Sequence, residues 1–418
     1  MKKISFDQPF VQGFLLALAY GFGLWFFQWF LWRLGVAATF PNNDNLIQWD
    51  AGWYRNIVDN GYNDASHNTG FFVLFPWVWK YSCLNALGVS ILNAFFFAAG
   101  LGLLMEMLTL KARDVMPLLA LPSIMFFYVP YTESLFFLLC VIAMHGTLRR
   151  RQLQVGVALF LVAMARPTAV FLLPAFFAAE LFANPLREWK RALIRFATWY
   201  ASPLVAGTLA FMLVQYLQTG VWMAYFNQQS TNWGHGFKLP TLPFESGDGP
   251  RMWWLMALGL AVGLAAFVHG LALSVRWCKG ETHDRMFVLA TGYLAAVLLM
   301  QVFFSPTWTG RTNLLAIHRY MIATPFFIVF VMRRFGLSED WRKDLFIILA
   351  LSLSAIMAFG AYKHLQAFLF YLVVPLTFIA VLQWARTRSS VLGMILFGVM
   401  FLLQVFLFQN FLTRLYVD

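Results

Sequence analysis

One carboxylate set among large aromatics, Asp50 in Gln48-Trp49-Asp50-Ala51-Gly52-Trp53-Tyr54-Arg55, is the residue of this chain best placed to move a proton. It lies in the first long polar stretch after an apolar run, ahead of Gly61-Tyr62. A charge there costs solvation and adds nothing to membrane insertion, so chemistry or ligand binding is its expected purpose. Trp49, Trp53 and Ile57 follow i, i+4, i+8 spacing, as do Asp50, Tyr54 and Val58. The spacing predicts a short helix with an aromatic face, lying in the headgroup layer and holding Asp50 at the membrane surface. The plainer account makes Asp50 a helix cap and the tryptophans interface anchors, but the Glu or Gln of a capping box is missing three residues on.

Other polar residues could serve the same chemistry. Glu133, in Pro130-Tyr131-Thr132-Glu133, sits between two apolar runs, a costly place for a charge; it could pair with an arginine or serve a site. Arg166 precedes Pro167 at a break in an apolar stretch, where it could meet an anion, a carbonyl or Glu133. Gln228 to His235 could give hydrogen bonds and a stacking ring, Trp233, for a polar ligand, or form a polar turn with an interface tryptophan. Arg319 and His318, with Arg311 assisting, suit a phosphate, because guanidinium forks match its oxygens; the plainer role for Arg319 is snorkelling to headgroups. Lys80 reads as a headgroup anchor, and His145, His269 and His364 as satisfied helix residues. Asp59 and Asp64 solvate the loop, as does Asp44 unless a divalent metal is needed. Cys83, Cys140 and Cys278 lie far apart and imply neither a metal site nor a disulfide framework.

Composition fixes what must position these residues. With 61% hydrophobic and only 11% charged residues, the chain is not a water-soluble globule but an all-α polytopic membrane protein. Runs long enough for a ~30 Å core fall near 11–33, 89–110, 115–129, 132–148, 194–217, 252–275, 285–304, 314–332, 344–361, 364–384 and 390–413, with 154–183 read as two short helices. That is about 11–13 transmembrane helices in one membrane domain over 1–418, without a separate soluble module. The formal charge of +12 is spread in small groups between apolar runs, so topology explains it and nucleic acid does not.

Basic loops stay inside. With Lys2 and Lys3 inside, the groups at Lys111, Arg149 to Arg151, Arg187 to Arg195, Arg276 to Arg285, Arg333 to Lys343 and Arg386 to Arg388 all fall on the inner face. The loop 35–88 with Asp50, the turn at Glu133, the break at Arg166, the loop 218–250 and the segment 306–320 then face the outside together.

The set Trp49-Asp50-Ala51-x-Trp53-Tyr54, Gly61-Tyr62, Phe71-Phe72-x-Leu74-x-Pro76, Tyr131-Thr132-Glu133-Ser134-Leu135-Phe136, Ala165-Arg166-Pro167-Thr168, Trp233-Gly234 and Arg319-Tyr320 resembles the PIG-V family of polytopic mannosyltransferases, in the GT-C superfamily. The motifs run in order from about residue 45 to 325. Val73-Leu74-Phe75-Pro76 departs from that family's Pro-Leu-Tyr-Pro. The resemblance implies a GT-C-like bundle with an interfacial helix in its outer first loop. It also implies inverting transfer of a hexose, mannose above all, from a polyprenyl- or dolichyl-phosphate sugar to a glycan or glycolipid acceptor. Asp50 would be the catalytic base, with Trp49, Trp53, Tyr54, Tyr131, Glu133, Arg166, Trp233, His235, Arg311, His318 and Arg319 binding substrate; no cofactor is certain, and a divalent metal is open but not indicated. The site would face the periplasm or lumen, in a bacterial inner membrane rather than the endoplasmic reticulum. Two other classes stay open: a transporter or flippase of lipid-linked sugars, which calls for ionisable residues near mid-membrane and inverted repeats, and a non-catalytic assembly subunit.

Overall fold

The computed structural model describes residues 8–415 except 64, 66, 247–252, 336–339, 361–364, 366–368, 370 and 380–389. Lys2, Lys3, Asp64, His364, Arg386, Arg388 and ten residues of the expected 364–384 span therefore lie outside the described residues. Helices dominate: α1 (Pro9–Arg33), α2 (Asp50–Asn60), α3 (Leu74–Ser82), α4 (Ala86–Leu108), α5 (Ala112–Leu119), α6 (Glu133–Leu148), α7 (Gln152–Ala165) and α8 (Leu172–Phe182) come first. They are followed by α9 (Trp189–Phe196), α10 (Ser202–Thr219), α11 (Ala224–Thr231), α12 (Trp253–Cys278), α13 (Arg285–Phe304), α14 (Ile317–Ile322), α15 (Pro325–Phe335), α16 (Trp341–Ala358) and a last helix, Ser390–Leu412. The regular β-structure described is one short hairpin, Thr307–Trp308 antiparallel to Arg311–Thr312.

The protein is a multi-pass membrane protein. Among the described residues α1, α4, the run Leu186–Thr219, α12 and α13 are long and apolar enough to cross a bilayer. The helices Gln152–Ala165, Pro167–Phe182 and Phe397–Leu412 are apolar but shorter. Among the described residues that makes five spans, or six where the bent pair Pro122–Tyr128 and Glu133–Leu148 crosses as one. One expected crossing, 115–129, is not a helix of that length at all. Pro117 lies inside the eight-residue α5, and Pro122 opens a 3-10 helix, Pro122–Tyr128, that meets α6 at a bend of 94°. Each proline removes a backbone donor: α5 ends two residues after Pro117, and Pro122 starts the next segment.

Irregular backbone at such depth is tolerated where protein encloses it, and residues 117–137 are all buried. Side chains take up the freed carbonyls: Asn93 of α4 donates to Val129 O at 2.6 Å and Tyr131 O at 2.8 Å, and Ser134 Oγ donates to Phe127 O at 2.8 Å.

The chain folds as two compact units. The first takes the residues up to Ala169, Ser202–Gln228 and the C-terminal stretch from Phe397. Lipid tails are as apolar as side chains, so its helices associate by close backbone approach and buried hydrogen bonds rather than by a hydrophobic driving force. A Cβ on Gly102 would stand 2.6 Å from the Phe10 carbonyl oxygen, which sets α1 directly on α4. On Gly207 it would stand 2.2 Å from Phe160 O, setting α10 on α7. Tyr128 Oη donates to Ala17 O at 2.9 Å, Tyr20 Oη donates to Gln404, and Gln404 Nε2 donates to Leu121 O at 2.8 Å.

The second unit comprises Val170–Ala201 and Gln229–Leu396. Gly259 of α12 lets α14 approach until a Cβ would meet His318 Cα at 2.8 Å, and Gly292 of α13 faces Ala175 Cα of α8 at 3.1 Å. At one end the buried Glu180 carboxylate is held by Arg285 Nη1 and Arg195 Nε, each at 3.1 Å, and by Tyr200 Oη at 3.1 Å. Two arginines and a phenol neutralise an acid that would otherwise be costly there.

Candidate active site

Backbone strain marks where α2 begins. Trp49 has φ +51° and ψ −119°, a conformation non-glycine residues rarely hold. The turn lets Asp50 become the first helical residue, where backbone N–H groups suit a negative charge. Asp50 is half-exposed, whereas Ala51, Tyr54 and Ile57 are buried. The enclosed residues therefore follow i, i+3, i+6 through Tyr54. Trp49 is 37% exposed, and Trp53 stacks on Phe71 at 5.7 Å and 19°.

Tyr54 is the hub of the first unit's polar site. Its phenol feels the Asp50 and Glu133 carboxylates and the Arg166 guanidinium, and it forms a side-chain hydrogen bond with Thr132. Burial, then Asp50 and Glu133, push its pKa well above 10; Arg166 and Thr132 pull against them. Three separate segments meet here: the first turns of α2, the bend before α6 and the end of α7. The helix break at Arg166, with α7 ending at Ala165 and a 3-10 turn following at Pro167, delivers that arginine to Glu133, with Nη2 3.2 Å from Oε1. Both side chains are essentially enclosed, and Arg166 also lies 5.6 Å from the Phe136 ring centroid. The pair satisfies two charges that could not be buried singly.

Tyr131 is fully enclosed rather than presented to a ligand: its hydroxyl donates to Gln48 O at 3.3 Å, and its ring packs on Phe126 and Phe411. It ties the bend to the residue just before the strained Trp49. The far end of α2 is fixed too. Gly61, at φ +71°, closes the helix, Gln218 Oε1 accepts from Tyr62 N at 2.7 Å, and Asn68 Nδ2 donates to Asn56 Oδ1 and Gly61 O, both at 2.8 Å. Asn93, Thr132 and Gln48 were not among the sequence candidates. A lone asparagine in the apolar run of α4 was the available signal for Asn93; Thr132 carried none.

The remaining candidates belong to the second unit. His235 Nδ1 lies 3.1 Å from Phe304 O, its backbone N–H donates to Gln229 O at 2.9 Å, and Lys238 Nζ donates to Gly234 O at 3.1 Å. Burial, with a contribution from Lys238, lowers the His235 pKa, opposed by the Phe304 carbonyl. Trp233 is half-buried on the same turn. Arg311 opens the second strand of the hairpin, opposite Trp308, while Thr309 Oγ1 of its turn donates to the Glu245 carboxylate at 2.9 Å. His318 and Arg319, on α14, are 0% and 2% exposed, so a lipid-facing, snorkelling Arg319 is ruled out in favour of an interior one.

No family model, curated protein or solved structure matches this chain.

Proposed function

We propose that the protein is an inverting glycosyltransferase that moves a hexose, mannose by the motif resemblance, from a polyprenyl- or dolichyl-phosphate sugar to a membrane-associated glycan or glycolipid acceptor. The observation that carries this reading is the contrast between two neighbouring carboxylates. Glu133 is enclosed and ion-paired with Arg166, whereas Asp50 stands half-exposed at the first turn of α2. One acid is built in and the other is presented.

Inverting transfer needs one base. The acceptor oxygen attacks the anomeric carbon on the face opposite the lipid phosphate, its proton passes to Asp50, and the carbon–oxygen bond to phosphate breaks. The phosphate leaves as a stable anion, so no strong general acid is required. Tyr54, kept neutral, and the Glu133–Arg166 pair hold the wall beside Asp50 rigid, which preserves the angle of proton transfer. Arg319, His318 and Arg311 are assigned the phosphate on their chemistry alone. The outer face of a bacterial inner membrane is the proposed setting.

Purified protein given radiolabelled polyprenyl-phosphate mannose and a lipid-linked glycan fraction should transfer label, and Asp50→Asn should not. Movement of intact donor across a vesicle membrane without bond cleavage would instead identify a flippase, and transfer from GDP-mannose without a lipid carrier would refute the donor class.

A further inference from the structure

The helix α13 has 20 residues, about 30 Å of length, which matches the hydrocarbon thickness of a bilayer. Its last turn therefore lies at one edge of the hydrocarbon, and the carbonyls there need donors from outside the helix. The segment after His235 supplies them. Lys238 N donates to Phe303 O at 2.8 Å and Gly236 N to Phe304 O at 3.4 Å, while the Phe237 ring stacks on Phe303 at 6.2 Å and 8°. Residues 236–244 are thus a strap laid along the end of a membrane span.

Polar groups of the strap turn into the protein. Lys238 is half-buried, with Nζ donating to Gly234 O at 3.1 Å and lying 3.5 Å from Thr307 Oγ1. Thr241 N donates to Thr312 Oγ1 at 2.9 Å and Phe244 N to Ala358 O at 2.7 Å, and Pro240 and Pro243 carry no N–H. Most of the strap's backbone donors are therefore bonded or absent. Its large apolar side chains turn the other way: Phe237 is 69% exposed, Leu239 76% and Leu242 63%. They extend the exposed apolar surface of α13, to which Leu299 and Phe304 belong. A cluster of this kind on a surface marks a place of contact, and irregular backbone is tolerated beside lipid only where its polar groups are met by protein.

We infer that Phe237, Leu239 and Leu242 insert among the acyl chains of the leaflet at this end of α13, so that residues 236–244 are embedded in the bilayer surface instead of forming an aqueous loop. The strap also sets a depth for its neighbours. Thr312 N donates back to Thr241 O at 3.3 Å, so the hairpin that carries Arg311 is tied to the inserted segment. This membrane contact is independent of the glycosyltransferase reading.

The test uses full-length protein, one copy per nanodisc of phosphatidylcholine and phosphatidylglycerol, with the exposed Cys83 and Cys278 replaced by serine. Single cysteines are introduced as Phe237→Cys, Leu239→Cys and Leu242→Cys, with Asn232→Cys, at an exposed position of the same loop, as the aqueous reference. A thiol reacts as its thiolate, which hydrocarbon suppresses, so the three strap thiols should react with an impermeant methanethiosulfonate at least about tenfold more slowly than the reference. This shielding is confined to the strap and leaves the rest of the loop open to label. Spin labels at the three positions should be relaxed more by oxygen, which concentrates in lipid, than by a water-soluble nickel chelate. In the unmodified protein, a phospholipid with a diazirine in its upper acyl chain should crosslink between Phe237 and Leu242. Strap thiols as reactive as the reference would overturn the proposal. So would relaxation by nickel equal to that by oxygen, which would mean cover by protein, or the absence of a crosslink, a result that no misfolded variant could mimic.

Discussion

Removing Arg166 is the sharpest test of how this site is built. In Arg166→Gln the Glu133 carboxylate stays enclosed while losing a guanidinium 3.2 Å away. At an effective dielectric near 20, that attraction is worth about 5 kcal/mol, and measured losses on breaking buried pairs run to roughly 3–5 kcal/mol. Glu133→Gln alone should cost a similar amount, because it strands the cation against Phe136 and Cys140. The double variant Glu133→Gln/Arg166→Gln should be far closer to wild type than the sum of the singles, since two amides can still bond to each other. The coupling in a double-mutant cycle should then be at least about 2 kcal/mol. Denaturant unfolding of the detergent-solubilised protein, followed by tryptophan fluorescence, gives all four free energies. Additive losses, with no recovery in the double variant, would refute the ion pair as the structural core of the site and would return Arg166 to the role of a ligand-binding cation.

Four further outcomes are expected. Asp50→Asn should fold normally and bind donor while turnover falls by ~10²-fold or more, the size of a lost general base; near-wild-type rates in a radiolabel assay would place the base elsewhere. Arg319→Ala should weaken use of a lipid-phosphate sugar strongly, read as a rise in KM, and unchanged KM would remove Arg319 from the donor site. Impermeant thiol labels on cysteines introduced in 35–88, 218–250 or 306–320 should react in intact cells, and those at Arg149–Arg151 only after permeabilisation; a protected outer loop would break the one-sided arrangement. Tyr54, with its folded pKa raised above the unfolded value of 10, contributes stability that is complete below pH 10 and is lost as pH climbs from there toward the folded value. Tyr54→Phe should flatten that alkaline decline in a pH series of unfolding midpoints, and an identical slope would show that other groups set it.

Some of this architecture is plain in the sequence because a single physical signal dominates. The runs expected at 252–275 and 285–304 are α12, Trp253–Cys278, and α13, Arg285–Phe304, since each is an unbroken apolar stretch bounded by charge. The break at Arg166-Pro167 is legible for the same reason, as proline forbids the helix outright. Hydropathy fails where it sums over a kink. The stretch 115–129 is as apolar as a span, yet its prolines and 3-10 turn fold it inside the protein; 314–332 is likewise split into α14 and α15 around Pro325. At the site, Asp50, Glu133 and Arg166 stand out as charges in apolar surroundings. That they share Tyr54 does not, because α2, the bend and the end of α7 are joined only by the fold. The direction of the α2 face was hidden too. The i, i+4 spacing gives an aromatic face for the headgroup layer; that Ala51, Tyr54 and Ile57 are the enclosed residues depends on what α2 packs against in the fold.

The pairing of Glu133 with Arg166 also explains why a membrane protein would place two acids so close together. The Asp50 and Glu133 carboxylates both act on the Tyr54 phenol. Enclosing Glu133 with a guanidinium removes its charge from the balance, so the cluster of Glu133, Arg166 and neutral Tyr54 presents no net charge to Asp50. Asp50 is the half-exposed carboxylate of the group, on a helix that starts after Trp49 and whose end is fixed by Gly61, Asn68 and Gln218. A side chain meant only to cap α2 would need none of this backing. The buried pair, the enclosed Tyr131 strut and the strained turn make physical sense together as a mount that fixes one acid at the surface.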